Sequence, residues 1–268
     1  MRRTPVVVAV ALVLSSALVA GACGSSSSAK SSGAKSSTPT SAQLNGSITV
    51  FAASSLTDAF AKLGADFERA HPGTSVKFSF GASSALETQI EQGAPADVFA
   101  AADAATGQKL AAAGKVAGSP TTFARNRLAI AVEPGNPKHI TSLADLAKPG
   151  VVLVLCADAV PCGKFAAEAL SKAHVSVTPA SKEENVKAVL SKVTLGEADA
   201  GIVYVTDVKS AGTKVTGVTI PDSQNVIATY PTGVVKGTGN RAVADAFRAY
   251  VTSAPGLRTL RSFGFLPP

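Results

Sequence analysis

The chain has 268 residues, of which 46% are hydrophobic, and this is enough apolar material for one large core or two smaller ones. Its formal net charge is +7, but Arg2, Arg3, Lys30 and Lys35 precede residue 46 in a stretch without Asp or Glu, which leaves +3 for the rest. That remainder contains no dense cluster of Lys and Arg with interleaved aromatic residues, so the sequence argues against a nucleic-acid partner.

Residues 1–23 have the order of a secretory signal peptide: two arginines, an apolar stretch from Pro5 to Ala20, and small residues before Cys23. The segment LVAGAC, which ends at Cys23, resembles a bacterial lipobox, in which the cysteine is acylated and becomes the mature N-terminus. An ordinary cleavage site after small residues is the alternative. We therefore expect an exported protein that is anchored by lipid at Cys23 to the outer face of the cell membrane.

The next segment, residues 24–45, is interpreted as a flexible tether. From Gly24 to Ala42 it consists of Ser, Gly, Ala, Thr and Lys with one proline and no large apolar residue, so it cannot form a core. Without acylation of Cys23, the same composition would describe an ordinary disordered N-terminus. The folded part is expected to begin at residue 46.

A buried strand and an amphipathic helix are predicted around the segment ITVFAASSLTDA. Ser54 and Ser55 lie where the helix is expected to begin, and its apolar stripe consists of Leu56, Phe60, Leu63 and Phe67. The first turn of a helix has backbone N–H groups without partners and the positive end of the helix dipole, so an anion can bind there. The alternative is that the two serines only cap the helix.

The same pattern recurs about thirty residues later. Val76, Phe78 and Phe80 predict a strand, and the segment GASS, with Ser83 and Ser84, then leads into a second helix. Two helix N-termini with hydroxyl side chains could converge on one ligand. The repetition favours a binding site over duplicated helix caps.

The rest of the chain alternates strand-like and helix-like runs, which is typical of an α/β protein. Strands are expected within 94–100, after a turn, and within 128–132, 151–155, 215–220 and 226–235, and helices near 141–146, 163–170, 183–193 and 241–251. The strand at 226–235 is interpreted as a return crossing between two lobes.

The segments ITVFAASSLTDA, FGASSALETQIEQGAPADVFAAAD and GIVY together resemble the molybdate-binding proteins of bacterial ABC importers, the ModA family. The correspondence extends from about Ile48 to Phe265. It implies a two-lobed periplasmic-binding-protein fold of type II, in which each lobe is a mixed sheet flanked by helices and the ligand lies between the lobes. Lobe 1 is expected to comprise residues 46–125 and 227–268, and lobe 2 residues 126–226.

The resemblance also implies a set of ligand-binding residues. It assigns hydroxyl donors to Ser55, Ser83 and Tyr204, and backbone N–H donors to Cys162 and Val186, with Ser54 and Ser84 as neighbouring alternatives one residue away. No direct metal ligands and no cofactor are expected, because the ligand is itself the oxyanion, molybdate or tungstate. The sequence does not distinguish between these two ions.

Cys156 and Cys162 are expected to form a disulfide, because the export signal places them in an oxidising compartment and five intervening residues can close a small loop. Two free buried cysteines are the alternative. A zinc site is not expected, because His71, His139 and His174 do not have ligand spacing to the cysteine pair.

The resemblance implies a binding protein, expected to be a monomer, that delivers its ion to a membrane permease and a cytoplasmic ATPase. A lipoprotein that binds sulfate, phosphate or a small organic acid is the alternative within the same class. A serine hydrolase or phosphatase is the alternative outside it, and the absence of a G-x-S-x-G, S-x-x-K or P-loop motif argues against an enzyme.

Overall fold

The computed structural model describes residues 43–268. The predicted signal peptide, the predicted acylation site at Cys23 and the predicted tether as far as residue 42 lie outside the described residues. The end of the tether contacts the folded part, since Gln43 Nε2 donates a hydrogen bond to the Pro72 carbonyl at 3.1 Å and Leu44 packs against the core. Between residues 43 and 268, no helix is long and apolar enough to cross a membrane.

The described residues form an α/β structure, as predicted. The strands are β1 Gly46–Ala53, β2 Thr74–Gly81, β3 Val98–Ala100, β4 Thr121–Val132, β5 Leu153–Cys156, β6 Ser181–Glu183, β7 Ala200–Tyr204, β8 Thr216–Thr219 and β9 Ile227–Val234. The α-helices are α1 Thr57–Ala70, α2 Ser83–Glu91, α3 Ala104–Ala112, α4 Pro161–Lys172, α5 Val186–Thr194, α6 Val205–Ala211, α7 Arg241–Thr252 and α8 Ala254–Ser262. Single 3-10 turns occur at Ser54–Leu56, Ala144–Ala147 and Gly212–Lys214.

The strands form one mixed sheet in the order β2-β1-β3-β9-β4-β7-β5-β6, with β8 paired to β4. In the first half, β1 runs parallel to β2 and β3, and β3 runs antiparallel to β9. In the second half, β5 runs parallel to β6 and β7, while β7 and β8 both run antiparallel to β4. The antiparallel pair of β4 and β9 joins the two halves.

Strand β4 changes partner along its length. It pairs with β9 as far as Arg127 and with β7 from Leu128 onward, so one continuous strand belongs to both halves of the sheet. The predicted boundary between lobes, at residues 125 and 126, falls within two residues of this change. The strand begins seven residues earlier than the predicted segment 128–132. The polar residues between Thr121 and Arg127 interrupt the apolar run from which the strand was predicted, but their backbone still pairs with β9.

Helix α1 is anchored by the predicted apolar stripe, since Phe60, Leu63 and Phe67 are all fully buried. Each such side chain contributes about 1.5–3 kcal/mol when it is fully buried. Gly64 lets the helix lie close to β2, because a Cβ atom at that position would lie 2.7 Å from the Phe78 ring. This packing fixes the N-terminal end of α1 relative to the end of β1.

Two predicted helix starts differ from the structure. Ser54 and Ser55 lie in the 3-10 turn and not in α1, which begins at Thr57, and neither hydroxyl caps a helix. The helix predicted from residue 183 begins at Val186, because the Asn185 side chain caps it by accepting hydrogen bonds from the N–H groups of Lys187 and Ala188. Helices α3 and α8 were not predicted. The sequence of α3 shows only weak apolar periodicity, and α8 begins with Ala-Pro-Gly, a combination that is more typical of a turn.

Candidate functional site

A cavity that is partly open to solvent lies where helix N-termini from both halves of the sheet meet, and about 210 Å³ of space, open solvent included, lies between its walls. Six of the seven predicted ligand-binding residues line it: Ser54, Ser55, Ser83, Cys162, Val186 and Tyr204. Ser84, the remaining one, is not among the lining residues. Among the described residues, the lining includes no charged side chain.

The 3-10 turn after β1 brings Ser54 and Ser55 to the cavity, and both are buried. The cap role considered from the sequence does not apply, because no side chain caps this turn. Instead, the Ser55 hydroxyl lies 2.9 Å from the hydroxyl of Tyr230 on β9. Ser55 is therefore held by a buried partner and not by its own helix.

Helix α2 brings Ser83 to the same cavity. Ala82 is the N-cap residue and Ser83 the first residue of the helix, so the hydroxyl is again not used for capping. It accepts a hydrogen bond from the Ala102 N–H at 2.9 Å. Because the oxygen acts as an acceptor in that bond, the hydroxyl proton stays available for a ligand.

The loop between β5 and α4 contains the predicted disulfide between Cys156 and Cys162, whose Cα atoms are 5.8 Å apart. At the start of α4, Gly163 and Lys164 donate their N–H groups to the Val160 carbonyl. The N–H of Cys162 has no such acceptor within residues 43–268, as expected for the first turn of a helix. One backbone donor therefore remains free next to the cavity.

The N-terminus of helix α5 supplies a second backbone N–H group of this kind. Its N-cap residue, Asn185, accepts from the N–H groups of Lys187 and Ala188 but not from that of Val186. The Val186 N–H finds no acceptor in the described part of the chain, while the Val186 side chain is buried in the core. The position therefore offers a backbone donor to the cavity, whatever its side chain contributes to packing.

Tyr204, at the end of β7, is almost completely buried, and its hydroxyl has no hydrogen-bond partner within the described residues. Burial raises the pKa of this phenol well above its usual value, so the group stays protonated. An unpaired buried hydroxyl costs about 1–3 kcal/mol, and a bound anion would supply the missing acceptor. The phenol is thus a neutral donor in need of a partner.

Three residues after Tyr204, the Asp207 carboxylate accepts a hydrogen bond from the Tyr204 N–H at 3.1 Å. Burial raises the pKa of Asp207 to about 6, although the nearby charge of Lys187 acts in the opposite direction. Lys187 also donates a hydrogen bond of 2.8 Å to Asp58 on α1, and so connects α5 to the other side of the cavity. These charges lie behind or beside the lining residues.

The cavity is therefore a set of neutral donors at the positive ends of several helices. Such a set suits a small anion that carries no proton of its own, because acceptors for a ligand proton are scarce. No group of three potential metal-ligating side chains occurs in the region from residue 43 to the C-terminus.

Two residues of the site were not found from the sequence. Asn185 could have been recognised, because Asn before an amphipathic run is a common N-cap. Tyr230 could not, because its contact with Ser55 joins positions 175 residues apart and no local pattern marks it. The predicted set therefore lacked Asn185, which lines the cavity, and Tyr230, which holds the lining residue Ser55.

The family model for bacterial extracellular solute-binding proteins matches residues 48–266. The molybdate-binding protein ModA of Mycobacterium tuberculosis H37Rv is 46% identical over 258 residues, which cover 96% of this chain and 97% of that protein. The periplasmic molybdate-binding protein of Azotobacter vinelandii matches with a TM-score of 0.72 and 22% identity, over 82% of this chain and 99% of that one. The sulfate-binding protein SubI of M. tuberculosis matches with a TM-score of 0.74 and 22% identity, over 83% and 87% of the two chains. At these identities, the two structures show a shared fold alone.

Proposed function

The chain belongs to the ModA molybdate-binding family of bacterial extracellular solute-binding proteins and is the solute-binding component of an ABC transporter; we propose that it holds molybdate in the cavity described above. The observation that carries this proposal is the convergence of neutral hydrogen-bond donors on a cavity that, within the described residues, is lined by no charged side chain. The donors are the hydroxyls of Ser55, Ser83 and Tyr204 and the N–H groups of Cys162 and Val186.

Binding by neutral donors explains how a dianion is held and yet released. A hydrogen bond to a charged group contributes about 1.5–3 kcal/mol, so a handful of such bonds and the helix dipoles can retain the ion without a cationic side chain. An ion pair with a buried Lys or Arg would require desolvation of a further charge. Each of the proposed donors is neutral, so the ion is the only charged group that is desolvated on binding.

The donor set also predicts which anions are excluded. A protonated phosphate brings a hydrogen-bond donor into a cavity that offers few acceptors, so it is disfavoured. Sulfate lacks that proton, and its exclusion would depend on the size of the cavity. Tungstate has the same charge and shape as molybdate, and we propose that it binds as well.

We further propose that the two halves of the sheet close on the ion as lobes, with residues 46–125 and 227–268 in one lobe and residues 126–226 in the other. Support comes from β4, whose pairing changes from β9 in the first half to β7 in the second, and from β9, which follows β8 of the second half along the chain but pairs in the first. The ion would contact both lobes at once, so binding would stabilise the closed form. The loaded monomer would then dock on the permease, and the ATPase would drive uptake.

Titration calorimetry of the protein with molybdate, tungstate, sulfate and phosphate tests the proposal, with Ser55→Ala and Ser83→Ala as variants. We expect tight binding of molybdate and tungstate alone, and a dissociation constant that rises at least about tenfold in each variant. Ser84→Ala is the matched control, because it removes the same hydroxyl from the next residue, which does not line the cavity.

Three results would contradict the proposed site. Molybdate affinity unchanged in Ser55→Ala and Ser83→Ala would exclude these hydroxyls as ligands. A large loss of molybdate affinity in Ser84→Ala would show that the ligand serine is Ser84 and not Ser83. Tight binding of sulfate, phosphate or an organic acid without binding of molybdate would favour the alternative solute.

We propose that this protein binds without turning over its ligand. Neither ligand serine is hydrogen-bonded to a histidine, since Ser55 pairs with Tyr230 and Ser83 with the Ala102 N–H. No histidine lines the cavity in the part of the chain that the structure describes. A hydroxyl without a general base is a weak nucleophile. Ester or phosphate hydrolysis that disappears in Ser55→Ala would contradict this proposal.

We also propose that acylated Cys23 anchors the protein to the outer face of the cell membrane. The order of charged, apolar and small residues before Cys23 supports it. Expression of the full chain and of Cys23→Ser in a bacterial host tests it by cell fractionation and mass spectrometry of the mature N-terminus. We expect a lipid-modified, membrane-bound protein and a variant that is not retained in the membrane fraction. An unmodified N-terminus other than Cys23 would contradict the anchor.

A further inference from the structure

We propose that Tyr230 is a positioning residue that fixes the Ser55 hydroxyl as a donor to the bound oxyanion, through a directed chain of hydrogen bonds that begins at Asn126. This inference rests on the proposed function, because it deepens the role given there to Ser55. It assigns a part in binding to two residues, Asn126 and Tyr230, that do not line the cavity.

The chain is short, and all of its members are buried. The Tyr230 hydroxyl lies 2.9 Å from the Ser55 hydroxyl and 3.4 Å from Asn126 Nδ2. Asn126 Nδ2 also donates to the Thr206 hydroxyl at 2.8 Å. Tyr230 and Asn126 are completely buried, so water does not compete for these groups.

The direction of the chain follows from the amide of Asn126. Its Oδ1 accepts a hydrogen bond from the Arg127 N–H at 3.0 Å, so the amide nitrogen is the end that faces Thr206 and Tyr230. Both protons of Nδ2 are donated, which makes the Tyr230 oxygen an acceptor from Asn126. The Tyr230 proton is then left for Ser55.

The Ser55 oxygen therefore accepts from Tyr230, and its own proton is free to point into the cavity. The opposite arrangement, with Ser55 as donor, would turn the Ser55 proton away from the ligand. It would also leave the Tyr230 proton with no acceptor in hydrogen-bond distance among the described residues, since the hydroxyl of the neighbouring Tyr204 is too far away to pair with it. A buried donor without an acceptor is costly, so the first arrangement is favoured.

The ring of Tyr230 cannot readily leave this position. It packs edge to face against Phe123, Tyr204 and Phe265, with ring centroids 6.3, 6.1 and 5.4 Å away. Burial also raises the pKa of the Tyr230 phenol, so the proton that the chain needs stays in place. The orientation of the Ser55 hydroxyl is thus set before the ion arrives, and no ordering cost arises on binding.

The chain also connects the ligand to the strands shared by the two halves of the sheet. Asn126 is on β4, and Tyr230 is on β9, which pairs with it. Thr206 is in the first turn of α6 and follows the second half's strand β7. The donor direction at Ser55 therefore depends on the arrangement of both halves.

A double-mutant cycle tests the inference by calorimetric titration of molybdate into Tyr230→Phe, Ser55→Ala and the double variant. We expect Tyr230→Phe to weaken binding about tenfold in the wild-type background. In the Ser55→Ala background, we expect it to change affinity less than about twofold, because the residue acts only through Ser55. Tyr250→Phe on α7 is the control for loss of a phenol outside the chain, and we expect wild-type affinity.

Equal losses from Tyr230→Phe in the two backgrounds would overturn the inference, because they would show that the phenol acts through packing. Wild-type affinity in Tyr230→Phe, with molybdate binding intact in the wild type, would overturn it as well. Failure of the wild type to bind molybdate would instead remove the proposed function.

A second measurement needs no ligand and keeps the two proposals distinguishable. Neutron diffraction from crystals exchanged into D2O locates the deuterium between the Tyr230 and Ser55 oxygens. We expect it to be bonded to Tyr230, with the Asn126 amide pointing at the same oxygen. A deuterium bonded to Ser55 and pointing at Tyr230 would overturn the inference, whatever the protein binds.

Discussion

The two sides of the cavity offer an anion the same kind of contact through different chemical groups. On the side of β1 and β2, Ser55 and Ser83 present hydroxyls, whose directions are set by hydrogen bonds to Tyr230 and to the Ala102 N–H. On the side of β5 and β6, the starts of α4 and α5 present backbone N–H groups, whose directions are set by the path of the chain. The hydroxyl donors of the first side depend on the identity of the side chains, and the backbone donors of the second side depend on the path of the main chain.

This difference predicts that the two sides respond to different substitutions. Loss of a hydroxyl removes a donor from the first side without any change in the backbone. On the second side, Tyr204 also presents a hydroxyl, but at Cys162 and Val186 the side chain can be replaced with the donor intact, and the donor is lost only when the backbone moves. The predictions below test this contrast, from the largest expected effect to the smallest.

Gly163→Ala should have the largest effect, because it displaces the backbone of the second side. A Cβ atom there would lie 2.0 Å from the Ala157 carbonyl oxygen and 2.9 Å from that of Cys156, and these backbone atoms cannot move independently. We expect a loss of roughly 3 kcal/mol in the free energy of unfolding. We also expect a loss of molybdate affinity of more than about tenfold, since the Cys162 N–H shifts with the loop. Urea unfolding and calorimetry measure the two effects.

The control for this prediction is Gly239→Ala, because a Cβ atom at Gly239 would meet no atom within 4 Å. We expect it to change stability by less than about 0.5 kcal/mol and to leave affinity unchanged. Wild-type stability and affinity in Gly163→Ala would show that the backbone of the second side is not the sensitive element.

Asp207→Asn should change how stability depends on pH. The pKa of Asp207 is about 6 in the folded protein and near 3.8 in the unfolded chain, so the folded state binds more protons between these values. Its contribution to stability is therefore present below about pH 4 and is lost as the pH rises through 6. The shift of about two units corresponds to about 3 kcal/mol.

The measurement is the free energy of unfolding of wild type and variant from pH 4 to pH 7.5. Asn keeps an acceptor for the Tyr204 N–H but cannot ionise, so the variant lacks this contribution. We expect wild type to lose about 3 kcal/mol relative to Asp207→Asn as the pH rises. Parallel curves for the two proteins would contradict the raised pKa.

The contrast between the two sides also explains how much could be predicted from the sequence. Hydroxyl donors can leave a sequence pattern: the repeated Ser pair after a strand indicated a binding site, and the resemblance to a family then selected Ser55 and Ser83 from the two pairs. A backbone donor leaves almost none, since any residue except proline has an N–H. Cys162 and Val186 were therefore assigned only through resemblance to a family.

The fold was predictable where apolar periodicity is strong, as in α1 with its buried Phe60, Leu63 and Phe67. It was less predictable in β4, because the pairing of Thr121 to Arg127 with β9 is made by the backbone of a polar segment. Tyr230 was missed for a related reason. A contact between residues 55 and 230 is a property of the assembled sheet, and local patterns do not contain it.

The double variant Cys156→Ala and Cys162→Ala tests the second side in another way. It removes the disulfide that restrains the loop, but it removes no hydrogen-bond donor. In the chain-entropy model, so short a loop contributes about 2 kcal/mol to stability. We expect that loss in urea unfolding, with a smaller loss of molybdate affinity than in Gly163→Ala. Ser83→Ala is the matched comparison, since we expect it to lower affinity with little loss of stability. A double variant with weaker binding but wild-type stability would contradict the restraining role of the disulfide.

The smallest effect is expected at the ion pair that joins the two sides, between Lys187 on α5 and Asp58 on α1. Burial acts against it, but the hydrogen bond and charge of Lys187 lower the pKa of Asp58, so the carboxylate is charged at neutral pH. Partly exposed pairs of this kind contribute about 0.2–1 kcal/mol. We expect Asp58→Asn to raise the dissociation constant for molybdate by about two- to threefold at low ionic strength.

That effect should fade as salt is added, because screening weakens exposed charge pairs. Asp66→Asn is the matched control, since Asp66 forms ion pairs with Lys62 and Arg69 on its own helix and does not connect the two sides of the cavity. If both variants bind molybdate equally well, the cross-cavity pair does not favour the closed arrangement. If only Asp58→Asn weakens binding, and only at low salt, a screened charge pair assists closure while the neutral donors on the two sides supply most of the affinity.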